Sequence, residues 1–249
     1  MSNKRYFPAP KGADGAPALT KRELKVVVTV AAASGRTPER DAALLLCSAT
    51  TGLRVSEIAR LEVQHIMNED GTYQLEGWIP GEFTKSGRPG PVFVTNKKFQ
   101  RALDSYFEYR LRKRHLVSDE PDRYRGLKPS SKVFLTETGR KFAMSIKRRE
   151  KKVEGKKKPI VVEYEACDVL ERAFKRFYKR AFGDKTVFSS HSGRKYFASM
   201  LARLVEANRE RHEGYEDVVE LMRSQNLTAI QPYLYPTKEE IEKSCLSLV

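Results

Sequence analysis

Thr50-Thr-Gly-Leu-Arg-Val-Ser-Glu-Ile-Ala-Arg-Leu61 is the stretch on which the fold turns. Gly52 stops a preceding apolar run, because glycine enters the left-handed conformation that ends a helix without a Cβ penalty. Ser56 stands where a side-chain hydroxyl can cap the next helix. Between them Arg54 emerges from a rigid corner. Rigidity matters for a guanidinium, whose planar fork must be held in place to grip a phosphate with two hydrogen bonds. Glu57, three residues on, either holds that arginine or packs locally, and its role reads as supporting.

Working upstream, Thr37-Pro38 offers an N-cap and a proline at the first helical position, and Ala42 to Ala49 supply a buried face. An earlier helix starts at Thr20-Lys-Arg-Glu23, which has capping-box spacing, and runs through Ala33 to Ser34-Gly35. Residues 1–19 carry Pro8, Pro10 and Pro17 and read as an arm or linker, so the folded unit is expected over residues 20–249.

Downstream, β-formers at Tyr73 to Ile79 and Pro91 to Val94 alternate with the turn-rich Asn68-Glu-Asp-Gly71 and Ser86-Gly-Arg-Pro89, which predicts a small antiparallel sheet. Asn96 to His115 is helical, with Phe99, Leu103, Tyr106, Phe107 and Leu111 at helical spacing. Lys132 to Leu135 is a candidate short strand. Eight basic residues between Lys147 and Lys158 predict a solvated loop. Further helices are expected at Glu165 to Phe182, Ser190 to Asn208 and Tyr215 to Met222, with a terminal one from Thr237 onward. The fold class is therefore α+β, mainly helical, with one small antiparallel sheet.

The 249 residues are 40% hydrophobic, enough for a real core. Lys and Arg number 47 against 32 Asp and Glu, a net charge of +15, so the summed field attracts polyanions. No run of about 18 apolar residues occurs and the N-terminus lacks a signal-peptide core, which makes a cytoplasmic protein with no membrane partner the expectation. Cys47, Cys167 and Cys245 are odd in number and far apart, which argues against a disulfide framework or a clustered zinc site. No metal or cofactor is expected.

Three further strings carry chemistry. His191-Ser-Gly-Arg194 opens an amphipathic helix after two candidate capping serines, and its i and i+3 positions share a face at a helix N-terminus, where anions are favoured. Lys85 sits in Phe83-Thr-Lys-Ser-Gly-Arg-Pro-Gly-Pro-Val92, a hairpin tip able to project an ammonium, with Arg88 as a basic rival. Leu221-Met-Arg-Ser-Gln-Asn-Leu-Thr-Ala-Ile-Gln-Pro-Tyr-Leu-Tyr235 reads as a helix end, a polar turn and a segment presenting tyrosines. Taken singly, each string has a bland reading as surface charge or local packing.

All four strings, in this order, resemble the tyrosine recombinase or phage integrase family, and the resemblance covers Thr20 to the C-terminus. The family's TGLR-x-SE string matches Thr51 to Leu61 almost letter for letter. The resemblance implies an integrase-type catalytic domain acting on double-stranded DNA through a 3′-phosphotyrosyl intermediate. It assigns the roles of first arginine to Arg54, hairpin lysine to Lys85, histidine and second arginine to His191 and Arg194, and nucleophile to Tyr233, with Tyr235 as the alternative. Arg223 stands where the family usually has His or Trp, and arginine still donates hydrogen bonds to a phosphate oxygen. The resemblance further implies a homo-oligomer, a tetramer on DNA, joined through a C-terminal tail helix at about 237–249 that offers Ile241, Leu246 and Val249, and a nucleoid-associated location. The helical DNA-clamping domain that usually precedes the catalytic one is expected to be missing. Two other readings stay open: type IB topoisomerase-like relaxation, and a DNA-binding protein that kept the fold without catalysis.

Overall fold

The capping box at Thr20 starts helix α1 (Lys21–Ala33) as its spacing predicts. The Thr20 hydroxyl accepts from the Glu23 amide at 3.2 Å and Glu23 Oε2 accepts from the Thr20 amide at 2.7 Å, satisfying two donors that a helix start leaves open. Helix α2 (Pro38–Thr51) follows, with Gly52 at φ 64° closing it in the left-handed conformation. Thr37 takes the N-cap position, but its side chain makes no capping bond and its Oγ1 is buried without a partner. The structure, a computed structural model, describes residues 16–84, 87–151 and 160–207.

Helix α3 (Val55–Arg60) begins two residues earlier than a Ser56 cap would have it. Arg54 is the N-cap, Ser56 lies inside the first turn, and the acceptor is the Glu57 carboxylate, which takes the Arg54 amide at 2.7 Å. A carboxylate at the third position outcompetes the serine because it is buried there and needs donors.

Strands β1 (Glu76–Ile79) and β2 (Gly90–Phe93) form the expected antiparallel hairpin, with Glu76 opposite Phe93 and Ile79 opposite Gly90. Helix α4 (Lys97–Arg112) is capped by Asn96, whose side chain accepts from the Lys98 and Phe99 amides. Its apolar stripe is buried as expected through Phe107, but Leu111 is left 36% exposed while Arg110 is fully buried. The Arg110 guanidinium donates to the carbonyls of Lys132, Val133 and His115 and to Ser131 Oγ, so it satisfies a backbone turn that the core would otherwise strand. The Lys132 to Leu135 segment is core backbone and not a strand: it forms one isolated β-bridge, Lys132 with Glu62, and Val133, Phe134 and Leu135 are fully buried.

The basic stretch departs most from expectation. Residues Ser145–Lys151 form strand β3, paired antiparallel with β4 (Ile160–Ala166), so the described residues hold two small sheets, and the rest of the expected loop, residues 152–159, lies outside the described residues. The physical reason is charge pairing: Arg148 lies opposite Glu163 and binds it at 2.7 Å, and Lys147 is neutralised by Asp168. Ile160 to Val162 add β propensity.

Helix α5 (Asp168–Phe182) and helix α6 (His191–Ala207) complete the described elements. Helix α2 is the hub, buried along almost its whole length and packed by α1, α4 and α6, while α5 covers α1 and α3. Among the described residues no helix is long and apolar enough to cross a membrane. The thiols of Cys47 and Cys167 are free and buried, and burial pushes Cys47 up to about 12.

Candidate active site

The left-handed turn at Gly52 directs the chain from α2 into α3 and sets Arg54 at the corner between them. Glu57, one turn into α3, is fully buried. Its Oε2 takes the Arg54 backbone amide and its Oε1 takes Arg54 Nη1 at 3.0 Å, so one carboxylate fixes both the main chain and the guanidinium of the same residue. The Arg54 side chain remains 23% exposed. It is anchored through Nη1 and its own amide, and stays partly open to solvent.

Arg194 arrives from the other side. Its Nη1 donates to the carbonyl of Gly52 and stands 3.8 Å from Glu57 Oε2. Residues 142 positions apart in the chain thus meet at the turn that follows α2. The approach depends on Gly193: a Cβ there would stand 2.6 Å from Ser48 Oγ and 3.0 Å from Ser48 Cβ, so only glycine lets the start of α6 lie against the end of α2. Ser48 Oγ is itself buried without a partner.

His191 opens α6 and is exposed. Its amide donates to Ser189 Oγ at 3.2 Å, and the Ser189 amide donates to Ser192 Oγ at 3.1 Å, so of the two candidate capping serines Ser189 does the capping. His191 and Arg194 stand one helical turn apart and share a face. The next residue, Lys195, is only 3% exposed and its ammonium donates to the Ala16 carbonyl at 2.8 Å, while the Leu19 amide donates to the Ser192 carbonyl. The segment entering α1 therefore packs on the start of α6.

Lys85 lies outside the described residues, as do Arg223, Tyr233 and Tyr235. The frame around Lys85 is described. Thr84 Oγ1 donates to the Arg88 carbonyl at 2.8 Å, closing the hairpin tip. Arg60, at the end of α3, donates from Nη1 to the carbonyls of Glu82 and Phe83, and also pairs with Glu165 of β4. The helix that carries Arg54 at its start therefore holds the Lys85 hairpin at its end. Arg88 is exposed.

Two residues here were undervalued by sequence. Glu57 joins both arginines, and its only sequence signal was the i, i+3 spacing from Arg54. Arg60 ties three elements together, and its signal was a basic residue in the last turn of a short helix. Among the described residues no group of three or more His, Cys, Asp or Glu is placed to hold a metal ion. Chemically, the arrangement offers a fixed pair of guanidinium groups beside an exposed imidazole at a helix start, a set of donors suited to an oxyanion.

Residues 17–207 match the phage integrase family. No curated protein sequence matches the chain. Among solved structures, XerA recombinase is similar with a TM-score of 0.59 at 16% identity, over 92% of this chain and 64% of that one. The XerH site-specific recombinase in its post-cleavage complex with a palindromic difH substrate gives 0.57 at 16% identity, over 96% of this chain and 55% of that one. The Tn1549 transposon integrase in complex with transposon right-end DNA gives 0.51 at 15% identity, over 98% and 70%. At such identities the likeness is one of fold. The chain spans 64% and 55% of the XerA and XerH chains it matches.

Proposed function

The chain belongs to the phage integrase family, and on that premise we propose that it cuts and rejoins duplex DNA site-specifically, with Tyr233 as nucleophile. The observation that carries this reading is the convergence of Arg54 and Arg194 on the single buried carboxylate of Glu57. A phosphodiester is an anion that repels nucleophiles, and attack on it builds further negative charge on the nonbridging oxygens. Arg54 and Arg194 neutralise that charge, and Arg223 adds a donor. Fixed donors aimed at developing charge contribute on the order of 3 to 4 kcal/mol each. Glu57 is a positioning residue: it aims the arginines without touching DNA.

Tyr233 Oη attacks phosphorus and forms a 3′-phosphotyrosyl bond, while the bond to the 5′ oxygen breaks. A tyrosine free in water keeps its proton up to a pH of about 10, so attack at neutral pH needs a proton acceptor, and His191 serves. The departing 5′ oxygen takes a proton from Lys85. In the reverse sense, a 5′ hydroxyl of a partner strand attacks the phosphotyrosyl group, the backbone closes and tyrosine is restored. The phosphotyrosyl bond conserves the broken phosphodiester, so the balance needs neither ATP nor a metal. Exchange between two duplexes calls for a tetramer, with the tail at about 237–249 offering Ile241, Leu246 and Val249 to a neighbouring copy.

The test is to incubate the protein, in EDTA, with nicked suicide duplexes taken from the DNA flanking its own gene. An SDS-resistant protein–DNA adduct is expected for the native chain and for Tyr235→Phe, and none for Tyr233→Phe. Tight binding with no adduct from any of the three would sink the catalytic reading in favour of a DNA-binding protein that kept the fold.

A further inference from the structure

At the opposite end of α2 from Gly52 lies a second cationic feature. Helix α2 has 14 residues, so its two ends are about 20 Å apart. There the α1–α2 corner, the start of α2, the segment after Leu135 and one face of α5 enclose a cavity of about 390 Å³. Arg36, Arg40, Arg176 and Arg180 line it, over apolar walls that include Phe142 and Phe177. Two carboxylates, Asp41 and Glu137, also line it, which leaves a surplus of two positive charges.

The cavity is built, not incidental. Arg40 and Asp41 are 9% and 3% exposed, and Arg40 grips Asp41 Oδ1 from Nε at 2.9 Å and from Nη2 at 2.7 Å while its Nη1 donates to the Leu135 carbonyl. Burial raises the Asp41 carboxyl above its ordinary value, and Arg40, then Arg180 and Arg176, pull it back down. Arg180 is seated as well: a Cβ on Gly35 would fall 2.8 Å from Arg180 Nη1, so the glycine corner makes room for that guanidinium. Glu137 is taken by Arg36 at 2.9 Å. Arg176 and Arg180 hold no hydrogen bond or ion pair among the described residues. They stand at i and i+4 on α5, where like charges oppose each other and weaken the helix. Asp41, the acid they feel, is already gripped by Arg40, so the four arginines and two carboxylates of the lining leave positive charge that the described residues do not balance.

We propose that this cavity binds a phosphate-bearing anion, with Arg176 and Arg180 as the groups that grip it and the Arg40–Asp41 pair as its fixed floor. A phosphomonoester carries about −1.5 to −2 at neutral pH, which matches the surplus, and guanidinium pairs suit its oxygens. The volume lies in the range of small-ligand sites, about 300 to 1,000 Å³, and favours a compact phosphoanion over a run of duplex. A backbone phosphate of DNA has the same chemistry and is the other source. The site is separate from the strand-exchange reading, and its test requires no DNA cleavage.

Tripolyphosphate is titrated into the full chain by calorimetry, in parallel with a fluorescent duplex of arbitrary sequence. Three proteins are compared: native, Arg176→Gln/Arg180→Gln, and Arg172→Gln/Lys175→Gln, which removes the same charge from α5 at positions that do not line the cavity. Glutamine keeps the helix propensity and the apolar stems, and a thermal melt confirms each fold. Tripolyphosphate affinity is expected to fall at least tenfold in the first variant and less than twofold in the second, which identifies a free phosphoanion as the ligand. No tripolyphosphate binding, with duplex affinity falling tenfold in the first variant alone, identifies a backbone phosphate. Equal effects of the two variants on both probes, or no effect of either, overturn the proposal.

Discussion

Among the described residues of the candidate site, Glu57 is the one that joins the two arginines. Its carboxylate is fully buried between Arg54, at 3.0 Å, and Arg194, at 3.8 Å, and the Arg54 amide also depends on it. Removing one partner of a buried ionic set strands the others, which typically costs about 3 to 5 kcal/mol. Glu57→Ala is therefore expected to lose that much stability in a urea melt, a large part of what a domain has. Glu57→Gln keeps an acceptor for the Arg54 amide but removes the negative charge that the two guanidinium groups share. It is expected to fold, to bind duplex, and to lose adduct formation far more than binding. Equal losses of binding and adduct would show that Glu57 does not aim the arginines. Arg54→Lys belongs to the same argument, since a single ammonium cannot both hold Glu57 and present a planar fork.

At the scale of elements, the hairpin that carries Lys85 is held by α3 and by the 3₁₀ turn that follows it. His65 sits in that turn, with Nδ1 accepting from the Glu62 amide at 3.2 Å and its ring edge-on to Phe83 at 5.6 Å. Burial lowers its pKa from 6.5, and Lys132 lowers it further, while Glu62 works the other way. The unfolded chain therefore takes up the proton first, so the stability His65 contributes above pH of about 6.5 is lost as the pH falls through that value. The expected result is that native protein loses more stability between pH 7.5 and 5.5 than His65→Asn does. An identical slope for the two would remove His65 from the account.

What was legible at this scale follows from whether the signal was local. The α1 capping box, the Gly52 stop and the β1–β2 hairpin are decided within a few residues, and the sequence announces each of them. The β3–β4 ribbon was not legible, because its basic strand reads as solvated until the acids of β4 and Asp168 are placed beside it. Arg110 breaks the apolar stripe of α4 for a similar reason, as its acceptors lie up to 23 residues downstream. Of the candidate site, Arg54, His191 and Arg194 stand out in the sequence as candidates, while the bridge at Glu57 does not, since it requires the long-range contact of α2 with α6.

Over the whole molecule, the net charge of +15 and the buried ionic set at Glu57 respond differently to salt. Exposed charges are screened within a Debye length of about 8 Å at physiological ionic strength, whereas buried pairs are screened far less. If the chain binds duplex DNA as proposed, Lys and Arg contacts displace condensed counterions, and about six contacted phosphates give roughly a thousandfold loss of affinity between 50 and 200 mM salt. The fold should be nearly indifferent over the same interval, because Glu57, Arg194, Arg40 and Asp41 are largely buried and are screened little by salt. Measuring duplex affinity and melting temperature along one salt series separates the two. A steep affinity line with a flat melting temperature is the expected pair. A flat affinity line would mean that the surplus charge is not what meets DNA, and a melting temperature falling in step with affinity would mean that the lost binding was lost folding.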